Sequence, residues 1–89
     1  MMTGRKLVAW NVRKLRVAAG LSQEQLAVDA DIDRTYAHRL EKGSENPTVD
    51  VLDRIAKALE VSAAALLAEP AAGEEPPAVL RGGRKPKTV

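Results

Sequence analysis

Between Gln23 and Lys42, apolar or very small residues fall at Leu26, Ala27, Ala30, Ile32, Ala37 and Leu40. At this spacing two short helices, joined by a tight turn and crossing at a wide angle, touch each other. Ala27 has to be small because the second helix passes over it. Side-chain chemistry marks where both helices start. Ser22 offers a hydroxyl to the first, with acidic Glu24 in its opening turn, and Asp33 offers a carboxylate to the amides of the second. Asp31 stands in the turn, where a positive φ would favour Gly. Asp tolerates that conformation better than most residues, at some strain.

Periodicity predicts five helices in all. The first runs from about Lys6 to Ala19, with Val8, Val12 and Leu15 facing inward and Gly20 ending it. After the paired helices and the Gly43 to Pro47 loop, Thr48 caps a fourth helix whose Leu52, Ile55, Ala56 and Leu59 form a buried stripe. Ser62 caps a short fifth helix ending near Ala68, and Val61, Leu66 and Leu67 close the core. An all-α domain over residues 1–68 is therefore expected. From Glu69 onward Pro, Gly and charge dominate, which reads as a disordered tail over 69–89. Trp10 and Val17 form a second apolar strip on the first helix. Packing of Trp10 against the fifth helix or the Val79-Leu80 segment is expected, whereas an exposed indole would indicate a protein partner.

Composition removes several function classes. With one Trp, one Tyr and no Phe among 89 residues, the core is built from Leu, Ile, Val and Ala. No cysteine is present and His38 is the single histidine. Disulfides and thiolate metal sites are thus excluded, and one imidazole cannot hold zinc alone. Asp29, Asp31 and Asp33 alternate as in calcium loops, but the Gly and distal Glu such loops need do not follow. No Gly-rich phosphate loop and no nucleophile beside a base are found, so neither an enzyme nor a cofactor is expected. The apolar run from Leu7 to Trp10 is too short for a signal peptide or membrane span, which points to a soluble cytoplasmic protein.

The net charge is only +2, from 14 basic and 12 acidic residues, so distribution matters more than total. Arg5, Lys6, Arg13, Lys14 and Arg16 occupy a stretch without acids. Arg34, Arg39 and Lys42 lie on and just after the second of the paired helices. Alone, these would be ordinary solvated faces. Combined with a helix-turn-helix, which lays its second helix in the major groove, contact with DNA phosphates is the better account.

The stretch from Leu15 to Val61, LRVAAGLSQEQLAVDADIDRTYAHRLEKGSENPTVDVLDRIAKALEV, resembles the phage-repressor/Cro (XRE) family of helix-turn-helix regulators. Gly-Leu-Ser-Gln before the motif, Arg-Thr-Tyr inside it, Leu-Glu-Lys-Gly closing it and Asn-Pro-Thr after it occur in register, and the likeness extends from about Val8 to Leu67. Asp31 and Glu60 depart from it where the family often has Gly, and Ala37 where it often has Ile or Val. The resemblance implies a compact five-helix lambda-repressor-like fold with the motif at helices two and three. It also implies a transcriptional regulator that reads double-stranded DNA at an inverted-repeat operator as a homodimer. Small controllers of restriction-modification genes are one form of such a protein; an antitoxin or protein-binding adaptor built on the same domain is the alternative.

Residue by residue, the resemblance places Arg34, Thr35, His38 and Arg39 at base edges, and Arg is the side chain that binds guanine bidentately. Gln23, Tyr36, Lys42, Ser44 and Asn46 fall at phosphate-contacting positions. For His38 a solvated surface position is the other reading, and for Tyr36 it is core filling. Arg16 and Glu41 correspond to a structural ion pair tying the first helix to the third, which leaves the other basic residues of the first helix free. The Arg81–Lys87 run is weakly similar to minor-groove hooks, and a flexible basic end adding nonspecific affinity is the plainer reading.

Overall fold

The computed structural model describes residues 2–75, so the expectations placed on Val79, Leu80 and Arg81–Lys87 lie outside it. Thr3 sets the start of the chain's first helix, α1 (Gly4–Ala18), by accepting from the Lys6 amide. This cap explains why α1 begins ahead of the expected Lys6. Gly20, at φ 76°, then turns the chain where a side chain would be strained. α2 (Gln23–Ala30) opens with a reciprocal cap in which Ser22 and Gln25 each bond the other's amide at 3.0 Å. α3 (Arg34–Glu41) starts on the Asp33 carboxylate, which accepts from the Thr35 and Tyr36 amides. α4 (Val49–Leu59) starts on Thr48, whose hydroxyl accepts from the Val51 amide.

Among the described residues four α-helices are formed, not five. The segment Ala63–Leu67 is a 3₁₀ turn, and Ser62 makes no side-chain cap for it. Five residues without a capping bond cannot offset the cost of nucleating an α-helix, and the tighter turn still delivers Leu66 to the core. Leu66 is fully buried, while Leu67, expected inside, is 44% exposed. Consecutive side chains on a 3₁₀ turn point about 120° apart, so the turn that buries Leu66 carries Leu67 toward solvent.

The core joins Val8 and Val12 of α1, Leu26 and Ala30 of α2, Leu40 of α3, and Leu52, Ile55, Ala56 and Leu59 of α4. α2 packs on α3 and α4, and α1 packs on α3, α4 and the 3₁₀ turn. Ala37 is buried on the inner face of α3. Asp31 and Glu60 both adopt φ 59°, so the left-handed turns expected at these positions are present without glycine. At the first, Arg54 reaches across from α4 and its Nε donates to the Ala30 carbonyl at 3.1 Å. Asn11, buried on α1, holds the far end of the domain by donating to the Leu66 and Ala68 carbonyls at 3.1 and 2.8 Å. Trp10 is half-buried, and among the described residues its Nε1 has no acceptor although it is enclosed.

Candidate nucleic-acid interface

α3 divides sharply into two faces. Ala37, Leu40 and Glu41 are buried against the body, while Arg34, Thr35, His38 and Arg39 are exposed together on the other side. Lys42, Ser44 and Asn46 continue this exposed surface into the loop after the helix. Gly43, at φ 80°, turns that loop, and the Ser44 amide closes back on the Arg39 carbonyl at 3.0 Å.

Behind the exposed face lies a polar cluster centred on the Glu41 carboxylate. Arg16 Nε and Nη2 meet its two oxygens at 2.6 and 2.9 Å, and both side chains are almost wholly buried. Arg16 Nη1 also donates to the Leu21 carbonyl at 2.8 Å, so this guanidinium fixes the end of α1, the link to α2 and the last turn of α3 together. Two further donors complete the cluster. Arg13 Nε lies 3.4 Å from Oε1, and Gln23 Nε2 lies 3.1 Å from the same oxygen. A buried carboxylate with this many donors is satisfied rather than stranded.

The sequence suggested that the basic residues of α1 other than Arg16 are free, but two of them are paired. Arg13 is drawn to Glu41, and Lys14 pairs with Glu74 at 2.6 Å as the chain returns past the 3₁₀ turn. That contact holds the Glu74 carboxyl below the usual carboxylate range, the Lys14 hydrogen bond being the main cause. Nor is Gln23 a plain surface side chain. It is half-buried, and its carbonyl oxygen faces His38 Nδ1 at 3.3 Å.

The two exposed arginines of α3 differ in how they are held. Arg34 approaches Glu24 at 3.5 Å with both side chains largely solvated, a pair too exposed to fix either one. Arg39 is gripped at Nε by Glu45 at 2.6 Å, which leaves both terminal nitrogens without a hydrogen-bond partner among the described residues. Tyr36 is half-buried against the core, and burial foremost, then the charge of Glu45, pushes its phenol up from the ordinary value against the opposing pull of Arg39 and Arg54. Sequence reasoning missed Arg54, Glu45, Arg13 and Asn11. For Asn11 the usable signal is a polar residue directly beside the inward Val12 of α1.

A capped helix packed on a second short one, its outer face polar and basic, is the architecture of a DNA-binding helix-turn-helix domain. The chain matches the Helix-turn-helix family model over residues 12–66 and belongs to that family, the phage-repressor/Cro-like transcriptional regulators. Control protein C.BamHI of Bacillus amyloliquefaciens is 39% identical over 64 residues, covering 71% of this chain and 79% of that protein. Control protein C.SmaI of Serratia marcescens is 41% identical over 63 residues, covering 71% and 75%. The crystal structure of the restriction-modification controller C.AhdI from Aeromonas hydrophila superposes with a TM-score of 0.68 at 34% identity, covering 70% of this chain and 94% of that one.

Proposed function

We propose that this regulator is a controller-type protein that binds an inverted-repeat operator as a homodimer and reads each half-site through the major groove. The observation that carries this reading is the two-faced α3, which gathers Arg34, Thr35, His38 and Arg39 on one exposed surface above a buried, bonded base. Arg34 and Arg39 are the guanine readers, Thr35 meets a thymine methyl or a neighbouring phosphate, and His38 faces a base edge. Gln23 and Tyr36 beside the helix, with Lys42, Ser44 and Asn46 after it, position the duplex by its phosphates. Arg16 and Glu41 serve the fold beneath them.

A domain of this size spans one half-site, so discrimination among many sites requires two copies about 34 Å apart, or a multiple of that. Val49 at the start of α4 and Leu67 at the end of the 3₁₀ turn are 71% and 44% exposed, and they offer apolar surface for that assembly on the elements away from α3. The similarity to C.BamHI, C.SmaI and C.AhdI favours this form of regulator.

Selection from a random duplex pool, followed by sizing of the complex, tests the reading. Inverted repeats bound by two copies are expected. Failure to enrich any sequence, together with stoichiometric capture of a protein, would replace it with the adaptor alternative.

A further inference from the structure

The hydrogen bonds running from Glu41 through Gln23 to His38 have only one possible polarity. A carboxylate accepts and cannot donate, so Gln23 must turn its NH₂ group toward Glu41, where Nε2 lies 3.1 Å from Oε1. The Gln23 carbonyl oxygen is then left facing α3, 3.3 Å from His38 Nδ1. A carbonyl oxygen likewise only accepts, so the imidazole carries its proton on Nδ1. In the neutral ring the other nitrogen, Nε2, is an acceptor. Arg16 and Arg13 hold the Glu41 end of the row, so its direction is set from inside the domain.

We infer that Gln23 is a positioning residue for base choice: by fixing the His38 tautomer it makes neutral His38 a reader of exocyclic amino groups. In the major groove these are N6 of adenine and N4 of cytosine, whereas guanine presents N7 and O6 and thymine presents O4, all acceptors. His38 therefore selects adenine or cytosine at its own position in each half-site and disfavours guanine and thymine. This rests on the reading of α3 as the base-contacting helix. It gives Gln23 a part in specificity in addition to any phosphate contact through its second amide hydrogen.

Because His38 is the only histidine, its ring signals need no assignment. Long-range ¹H–¹⁵N spectra of the neutral ring in the free, full-length protein should show the Nδ1–H tautomer. In Gln23→Leu, which keeps the bulk but removes both amide groups, the population should move toward Nε2–H, with the melting curve confirming that the variant is folded. From a random duplex pool the wild type should enrich adenine or cytosine at one position per half-site, and Gln23→Leu should lose about fivefold of that preference there while keeping it elsewhere. An Nε2–H tautomer in the wild type, the same tautomer in both proteins, or an unchanged preference in the variant would each overturn the inference. A pool that enriches nothing would instead overturn the DNA-reading function, and the base assignment with it. The tautomer spectra, which use no DNA, keep the two failures apart.

Discussion

Arg39 and Glu45 meet at 2.6 Å across the end of α3, and the contact engages the guanidinium at Nε alone. In the proposed reading the fork for guanine O6 and N7 is built from the remaining N–H groups, so Glu45 aims the arginine without occupying it. Glu45→Ala should free that side chain and remove a negative charge beside the phosphates. Nonspecific affinity should rise and the ratio of operator to nonspecific affinity should fall, both measured at one salt concentration. Thermal stability should change by no more than about 0.5 kcal/mol, since Arg39 is half exposed.

Arg34→Ala and Arg39→Ala should each cost on the order of 1–3 kcal/mol per half-site on the preferred operator and much less on unrelated DNA. Binding isotherms on the two duplexes give the comparison. If both variants stay folded and keep the wild-type ratio, α3 does not read bases.

Beneath the surface the expected outcome is a loss of folding rather than of recognition. Arg16→Met leaves the buried Glu41 carboxylate without its closest donor, and denaturant unfolding should show a loss of roughly 3–5 kcal/mol. Glu41→Leu added to Arg16→Met removes the stranded charge and should recover much of that loss. A double variant no more stable than the single one would show that packing, and not the charge, dominates here.

Tyr36 supplies a pH dependence. Its phenol is raised above the ordinary value of about 10, chiefly by burial, so folding favours the protonated form. The associated stability is present below about pH 10 and is lost as pH rises through the folded value. The melting temperature should therefore fall on the alkaline side, and Tyr36→Phe should flatten that fall while leaving the neutral range nearly unchanged. Equal alkaline slopes in the two proteins would assign the fall to other groups.

Much of the fold was legible because local chemistry announces it. Ser22, Asp33 and Thr48 are capping residues in front of periodic apolar runs, and each of them caps. The turn at Asp31 was legible from the crossing geometry on either side of it. The 3₁₀ turn was not, since Ala63 to Leu67 carries the same residues an α-helix would use and only the missing cap and short length decide between them. At the interface, the exposed row on α3 followed from helical spacing. What it rests on did not: Glu45, Arg54 and Arg13 act across 6, 24 and 28 positions of chain, and a charge in sequence does not say which partner it will face.

In the proposed reading, the cluster around Glu41 also governs how recognition is shared between protein and duplex. Three helices and a loop carbonyl converge on one guanidinium and one carboxylate, so α3 has no soft joint at its base about which to pivot. A rigid reading head cannot adjust its angle from one site to another. The burden of fitting falls on the DNA, and sequences that twist or bend readily into register will be preferred even at base pairs that no side chain touches.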